Sequence, residues 1–369
     1  RSISRGIMKK TIVFTGGGTA GHVFPGLSVI DELRNSGEFD ISWIGSKAGI
    51  ERGIVEAGGI EYLSVPSGKL RRYFSVRNFL DLFRVLAGIL VSRRRLKVLA
   101  PDLLFSKGGF VSVPPVIAAK SLGIPVITHE SDFDPGLATR INLRYARVLL
   151  TSFEDTARFV PRRKGLETVF TGNPVRKEIL EGVARRGREF LGIAAEDRVL
   201  LIMGGSQGAR QINELVGHIL QSLTELCFVV HQTGADGTGG TEDMQKRYRR
   251  FEFIGGELPD IFAAADLIVC RAGANTLAEL SALGKPAVLI PLASGSRGDQ
   301  IRNARYFAER GAAHLLESPG PGELLESVRQ LLEDGERRKS LGAEAARAMP
   351  ADAARRAAEE ILRVLAEGS

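Results

Sequence analysis

A short apolar run followed by an amphipathic segment recurs along almost the whole of this chain, and it does so in two sets. The first set is Thr11–Thr15, Ile41–Gly45, Tyr62–Val65, Leu103–Ser106, Val126–His129 and Val148–Thr151. The second is Val199–Met203, Cys227–His231, Phe251–Ile254, Leu267–Cys270, Ala287–Ile290 and Ala313–Leu316. Runs this short and this apolar read as strands buried on both faces, and the segments between them are long enough for crossover helices. The pattern predicts an α/β fold with parallel sheets, built twice. A length of 369 residues agrees with two domains.

The basic stretch from Arg162 to Arg188 separates the two sets and contains Gly172-Asn173-Pro174. The expected division is a first domain over 8–172, a second over 173–348, and a closing helix over 351–367. The tail from Gly342 to Glu367 is rich in Ala, Arg and Glu and is broken by Pro350, so it reads as two helices. The residues before Met8 are basic and irregular with no apolar core behind them, and read as an upstream extension rather than a signal peptide. No apolar run is long enough to span a bilayer. Cys227 and Cys270 sit inside apolar runs and read as buried reduced thiols, not as a disulfide or a zinc site.

Open parallel sheets bind ligands beyond the carboxyl ends of their strands. Four loops at such ends are unusual. The opening one is Gly16-Gly17-Gly18-Thr19-Ala20-Gly21-His22-Val23-Phe24-Pro25-Gly26, between a strand and a helical pattern at Leu27, Ile30 and Leu33. The others are Lys107-Gly108-Gly109, Met203-Gly204-Gly205-Ser206-Gln207-Gly208, and Arg271-Ala272-Gly273-Ala274-Asn275-Thr276. Two come from each half, which places the expected ligand site in a cleft between two Rossmann-like domains.

Gly16-x-Gly18-x-x-Gly21 fits the dinucleotide fingerprint, but Ser46 and Lys47 stand where a nicotinamide enzyme carries an acid for the ribose. His22 lies where a helix begins. A positive helix end disfavours imidazolium, so His22 tends toward the neutral form that a general base needs. A plainer reading is a helix-start residue that bonds only locally. The loop after Met203 can present N–H groups and the Ser206 hydroxyl to a phosphate, although it is no Walker loop. Glu279, about one turn into the last helix, can accept two hydrogen bonds from a ribose diol, or it is an ordinary acid near a helix start. His129-Glu130-Ser131-Asp132 ends a strand and suggests contacts to substrate hydroxyls. No second histidine stands at helical spacing, which argues against a metal. His218, His231 and His314 read as structural.

The segment from Leu70 to Lys97 carries Phe74, Phe79, Leu82, Phe83 and Leu86 among Arg71, Arg72, Arg77, Arg84, Arg93, Arg94, Arg95 and Lys97. Apolar groups bordered by cations dock on an anionic bilayer surface; the alternative is a core helix with a basic solvent face. The net charge of +7 suits an acidic partner. A nucleic-acid motif is absent, so nucleic acid is not expected.

Five pieces occur in order: Gly16 to His22, His129-Glu130, Gly172-Asn173-Pro174-Val175-Arg176, Gly204-Gly205-Ser206-Gln207-Gly208, and Gly298-Asp299-Gln300-x-x-Asn303-Ala304. Together, from about Lys10 to about Leu316, they resemble the MurG family of glycosyltransferase family 28. The resemblance implies a GT-B fold, with the C-terminal helix crossing back to the first domain. It implies transfer of GlcNAc from UDP-GlcNAc to the C4 hydroxyl of undecaprenyl-pyrophosphoryl-MurNAc-pentapeptide. The configuration inverts, no metal or other cofactor is required, and the protein works peripherally at the cytoplasmic face of the plasma membrane. Matching positions then take roles. Thr19, Ala20, Gly21 and His22 meet donor sugar or acceptor, with His22 or Glu130 as base. Arg176 and Ser206 meet the diphosphate or nucleotide, and Ile254 lines the uracil pocket. Ala274, Asn275, Thr276, Leu277, Ala278 and Glu279 hold diphosphate and ribose. Asp299, Gln300 and Asn303 reach the sugar hydroxyls. Two positions depart from the family pattern. Ala20 replaces a common glycine, and Ser131-Asp132 replaces Gln-Asn, so Asp132 accepts hydrogen bonds from GlcNAc but cannot donate them. The alternatives are a UDP-GlcNAc epimerase on a related fold, a lipid glycosyltransferase with another acceptor, and a membrane-bound nucleotide-sugar sensor without turnover.

Overall fold

The computed structural model describes residues 9–68, 76–205, 209–235, 246–292 and 298–368, with the backbone alone for 76–80. The chain divides into two compact units. One runs up to Pro174 and includes the segment from Asp352 onward; the other is Val175–Ala351.

Among the described residues, seven strands form the sheet of the first unit. They are β1 (Lys10–Thr15), β2 (Phe39–Ser46), β3 (Glu61–Val65), β4 (Leu103–Ser106), β5 (Val126–Glu130), β6 (Val148–Thr151) and β7 (Glu167–Phe170). Their order is β3-β2-β1-β4-β5-β6-β7, and all neighbours pair in parallel. Ile12, Val13 and Phe14 on β1 and Leu103 to Phe105 on β4 are wholly buried, as strands covered on both faces must be. Ile12, Phe14, Leu103 and Phe105 share a core with Leu33 of the helix Phe24–Ser36 and with Ala357, Ile361 and Val364 of the helix Ala353–Glu367. Leu104, Val116 and Ala119 belong to a second core. The final helix therefore belongs to the first sheet, where Arg363 also bridges to Glu167 at 2.7 Å.

Six strands form the second sheet: β8 (Val199–Met203), β9 (Phe228–Gln232), β10 (Tyr248–Phe251), β11 (Leu267–Cys270), β12 (Ala287–Leu289) and β13 (His314–Leu315). The order β10-β9-β8-β11-β12-β13 is again wholly parallel. Each sheet thus has a point where the winding reverses, between β1 and β4 in one and between β8 and β11 in the other.

Two strands differ from the sequence reading. β7 was expected to be part of a charged linker, and β10 lies at Tyr248–Phe251 rather than at Phe251–Ile254. Both are edge strands with partly exposed faces. An edge strand does not need the two apolar faces that mark a central one. Glu-Thr-Val-Phe and Tyr-Arg-Arg-Phe therefore carry little apolar signal.

Candidate functional site

The four glycine-rich loops follow β1, β4, β8 and β11, the strands that flank the reversal in each sheet. This is where an open parallel sheet leaves a crevice beyond its strand ends.

In the first unit the opening loop is fixed from behind. The only tryptophan, Trp43, is wholly buried and donates its indole N–H to the Gly16 carbonyl at 3.1 Å. Glu51, also wholly buried, accepts from the Gly18 N–H at 3.3 Å and from the Ser46 N–H at 3.0 Å, and bonds the Ser46 hydroxyl. Gly18 has φ +86° and sits against Phe110, where a Cβ would lie 2.6 Å from a ring carbon. Thr19 is exposed, and Ala20 to His22 form a single 3-10 turn before the helix Phe24–Ser36. The His22 imidazole is partly exposed, but its Nδ1 is buried and has no partner among the described residues. Its other edge runs along Gly109, where a Cβ would lie 3.5 Å from Nε2. Burial first, and the Lys107 ammonium second, bring its pKa down to about 4.

Behind this loop lies a buried polar cluster. Lys107, 1% exposed, reaches the His129 Nδ1 at 3.0 Å and the Asn173 Oδ1 at 3.2 Å, and also bonds the Ser131 hydroxyl. His129 Nε2 lies 3.0 Å from the Gly172 carbonyl. That oxygen can only accept, so the network assigns the proton to Nε2 and leaves Nδ1 as acceptor for the ammonium. Burial and Lys107 hold His129 well below its usual range. Burial lowers Lys107 itself to about 7. Glu130 turns inward: its oxygens accept from the Asp132 N–H at 2.9 Å and the Gly136 N–H at 3.0 Å, which folds its own loop. Burial, with Asp132 beside it, raises the Glu130 pKa. Asp132 is partly exposed.

In the second unit the helix Ala274–Leu283 begins at Gly273, with no side chain capping its first turn. Such an end offers N–H groups and a positive dipole to an anion. Glu279 lies one turn in, 15% exposed, 3.8 Å from the Arg176 guanidinium. Burial raises its pKa to about 7 against the opposing pull of Arg176. Arg271, nearly buried, donates to the carbonyls of Ile290 at 2.9 Å and Pro291 at 3.1 Å, so it ties the β11 and β12 loops together. Gln232 joins the Gly205 carbonyl (3.3 Å) to the N–H of the buried Ile254 (2.9 Å). Gln300 accepts from the Leu292 N–H at 3.0 Å, and Asp299 pairs with Arg302 at 2.6 Å. Ser206 lies outside the described residues.

Several of the expected positions are buried. Asn303 is wholly buried and donates to the Ala272 carbonyl at 3.2 Å, so it braces that loop. Ala274, Leu277 and Ala278 are buried, leaving Asn275, Thr276 and Glu279 toward the surface. Sequence reasoning missed the bracing roles of Glu51, Lys107, Asn173, Gln232 and Arg271. The signal available for them was a charged or amide group inside or beside an apolar strand end, which burial obliges to find partners.

The helix Val76–Leu99 buries Asp81, Val85, Ser92 and Leu96 and exposes Leu82 (47%), Phe83 (54%), Leu86 (50%) and Leu90 (69%). Arg84, Arg93, Arg94 and Lys97 are exposed on the same helix. Phe74 and the Phe79 side chain lie outside the described residues. No described helix is long and apolar enough to cross a membrane.

The model of the glycosyltransferase family 28 N-terminal domain matches residues 12–151, and that of the family 28 C-terminal domain matches 199–360. The chain belongs to glycosyltransferase family 28. A relative from Treponema denticola, named UDP-N-acetylglucosamine--N-acetylmuramyl-(pentapeptide) pyrophosphoryl-undecaprenol N-acetylglucosamine transferase, is 46% identical over 327 residues, 83% of this chain and 84% of its own. A Bacillus cereus relative of the same name, numbered 2, is 45% identical over 334 residues, 90% of this chain and 94% of its own. The crystal structure of Acinetobacter baumannii MurG matches with a TM-score of 0.75 at 27% identity, covering 96% of this chain and 99% of that one. Two parallel-sheet α/β units in tandem are the GT-B class expected from the sequence.

Proposed function

We propose that this chain transfers GlcNAc from UDP-GlcNAc to the C4 hydroxyl of undecaprenyl-pyrophosphoryl-MurNAc-pentapeptide, with inversion at the sugar carbon. The observation that carries this reading is 45–46% identity, across both units, to relatives named for that transfer. The geometry supplies matching chemistry. The C4 oxygen attacks C1 of GlcNAc as the bond from C1 to the diphosphate oxygen breaks. His22, held neutral, takes the hydroxyl proton. Glu130 has both oxygens engaged in its own loop, so we assign it to shaping that loop. Arg176 and the start of the helix Ala274–Leu283 stabilise the charge on departing UDP. Glu279 takes the ribose hydroxyls, and Ile254 lies by the uracil. Thr19, Ala20, Gly21 and Asp132 border the sugar or acceptor.

The acceptor is lipid-linked, and the helix Val76–Leu99 gives the chain a way to meet it. Leu82, Phe83 and Leu86 enter the interface of an anionic membrane while Arg84, Arg93, Arg94 and Lys97 meet its head groups. The protein then works as a peripheral protein at the cytoplasmic face. Radiolabelled UDP-GlcNAc, with and without the lipid-linked muramyl pentapeptide, tests the reading. Label is expected in lipid only when that acceptor is present. Turnover of UDP-GlcNAc without acceptor would identify an epimerase, and donor binding without any turnover would identify a sensor.

A further inference from the structure

We propose that Lys107 is a positioning residue for His22: a buried amine, held by three neutral acceptors, that locks the strand ends around the imidazole and, when protonated, sets a positive charge behind it. The proposal rests on His22 acting as the base and adds a residue that touches neither substrate.

The geometry is unusual for a lysine. Its side chain is 1% exposed, and no carboxylate bonds it directly. Its partners, His129, Ser131 and Asn173, saturate the three N–H bonds of an ammonium. Those partners come from the end of β5, the loop after it, and the corner that follows β7. The Lys107 backbone N–H also bonds the Thr15 carbonyl at 2.8 Å, which pins this loop to the end of β1. The two loops touch there: a Cβ on Gly16 would lie 3.1 Å from the Lys107 Cβ and 3.0 Å from the His22 carbonyl oxygen. One residue thus holds the end of β1 through its backbone N–H and three other segments through its side chain.

Charge gives the second effect. The groups around the imidazole are Lys107 from the β4 loop, His129 from β5, and Glu51 from the neighbouring helix. His129 is neutral by its hydrogen bonds, so Lys107 is the cation that opposes a proton on His22, and Glu51 is the anion that favours one. Glu130 and Asp132 favour the charged form of Lys107 itself. A neutral group at position 107 removes the opposing charge and leaves burial opposed by the backbone of residue 107 and by Glu51, both of which favour the proton. His22 then binds a proton more readily, and its protonated, inactive fraction grows as the pH falls.

The experiment is a histidine side-chain NMR titration of the full chain labelled with ¹⁵N-histidine. The chain has five histidines, and His22→Gln assigns the signal. In the parent protein His22 is expected to stay neutral down to a pH of about 4. In Lys107→Met, which has similar bulk and no charge, and in Lys107→Gln, which keeps a donor, the midpoint is expected to move up by roughly one unit or more. The acidic limb of kcat at saturating UDP-GlcNAc, which leaves out the effect of Glu279 on donor binding, is expected to move with it, while the KM for UDP-GlcNAc at a given pH stays within about twofold. An unmoved His22 midpoint in either variant overturns the proposal. Should neither variant fold, Asn173→Asp, which sets a carboxylate against the ammonium, is titrated in their place: a His22 midpoint moved up supports the proposal, and an unmoved one overturns it. A moved NMR midpoint with an unmoved activity limb keeps the effect of Lys107 on the imidazole but removes His22 as the base, and with it the positioning role.

Discussion

Arg176 holds its guanidinium 3.8 Å from the Glu279 carboxylate, with Arg176 36% and Glu279 15% exposed. The pair is looser than a bidentate bridge, and burial keeps Glu279 near the point of protonation at neutral pH. A ribose diol can donate two hydrogen bonds to the carboxylate, as the role proposed for Glu279 requires.

Uridine binding should therefore depend on pH. Free Glu279, with its pKa raised to about 7, gains a proton as the pH falls through that value. The ionised form is the better acceptor, so affinity is expected to fall as the pH drops from 8 to 6, by up to about tenfold per unit below pH 7. Uridine itself carries no group that titrates in this range, unlike UDP. Glu279→Gln is expected to bind uridine roughly tenfold or more weakly at pH 8 and to lose the pH dependence. Calorimetric titration at three pH values checks both.

His22→Ala is expected to lower kcat by roughly 10²–10⁴-fold, the usual contribution of a general base. UDP binding is expected to hold, because Arg176 and Glu279 lie in the other unit. Transfer within a few-fold of the parent rate would reject His22 as the base.

Glu51 makes three hydrogen bonds from a buried position, one to Gly18 in the opening loop and two to Ser46 at the end of β2, so Glu51→Ala is expected to strand the Gly18 and Ser46 N–H groups. A cost of about 2–3 kcal/mol follows. The melting temperature is expected to drop by roughly 5–10 °C, with a fall in kcat and unchanged uridine affinity. Differential scanning calorimetry and the uridine titration separate these effects; a melting temperature within about 1 °C of the parent would remove Glu51 from this role.

The central strands were legible because a parallel strand such as Val199–Met203 must be apolar on both faces. The four glycine loops were legible because a backbone that turns tightly into a helix requires glycine. Their common placement beside the two points of reversal was not, since strand order leaves no local mark. The edge strands β7 and β10 escaped for lack of an apolar face. Lys107, Glu51 and Gln232 escaped for a different reason. Each acts by reaching across to a loop distant in sequence, as Lys107 does to Asn173, and such reach has no periodicity to read. Asn303 shows the same limit within a recognisable motif: its hydrogen bond to the Ala272 carbonyl, 31 residues away, left no mark in the sequence.

The exposed face of the helix Val76–Leu99 makes membrane binding testable without disturbing the core. Phe83 and Leu86 are about half exposed, whereas Val85 and Leu96 are buried. Phe83→Asp combined with Leu86→Asp therefore removes apolar surface that the folded chain leaves uncovered, and the melting temperature is expected to change little. Moving a Phe or Leu side chain out of water contributes about 1.5–3 kcal/mol when complete. Partial insertion of both, together with two new negative charges, is expected to change binding to phosphatidylglycerol-containing vesicles by roughly tenfold or more. Arg84, Arg93, Arg94 and Lys97 add an attraction that salt screens, so the parent protein should release from these vesicles as ionic strength rises. Sedimentation with anionic and with neutral vesicles, at low and high salt, reads both contributions. Equal binding of the parent and double variant to anionic vesicles would show that the helix packs in solution with its apolar face merely solvated.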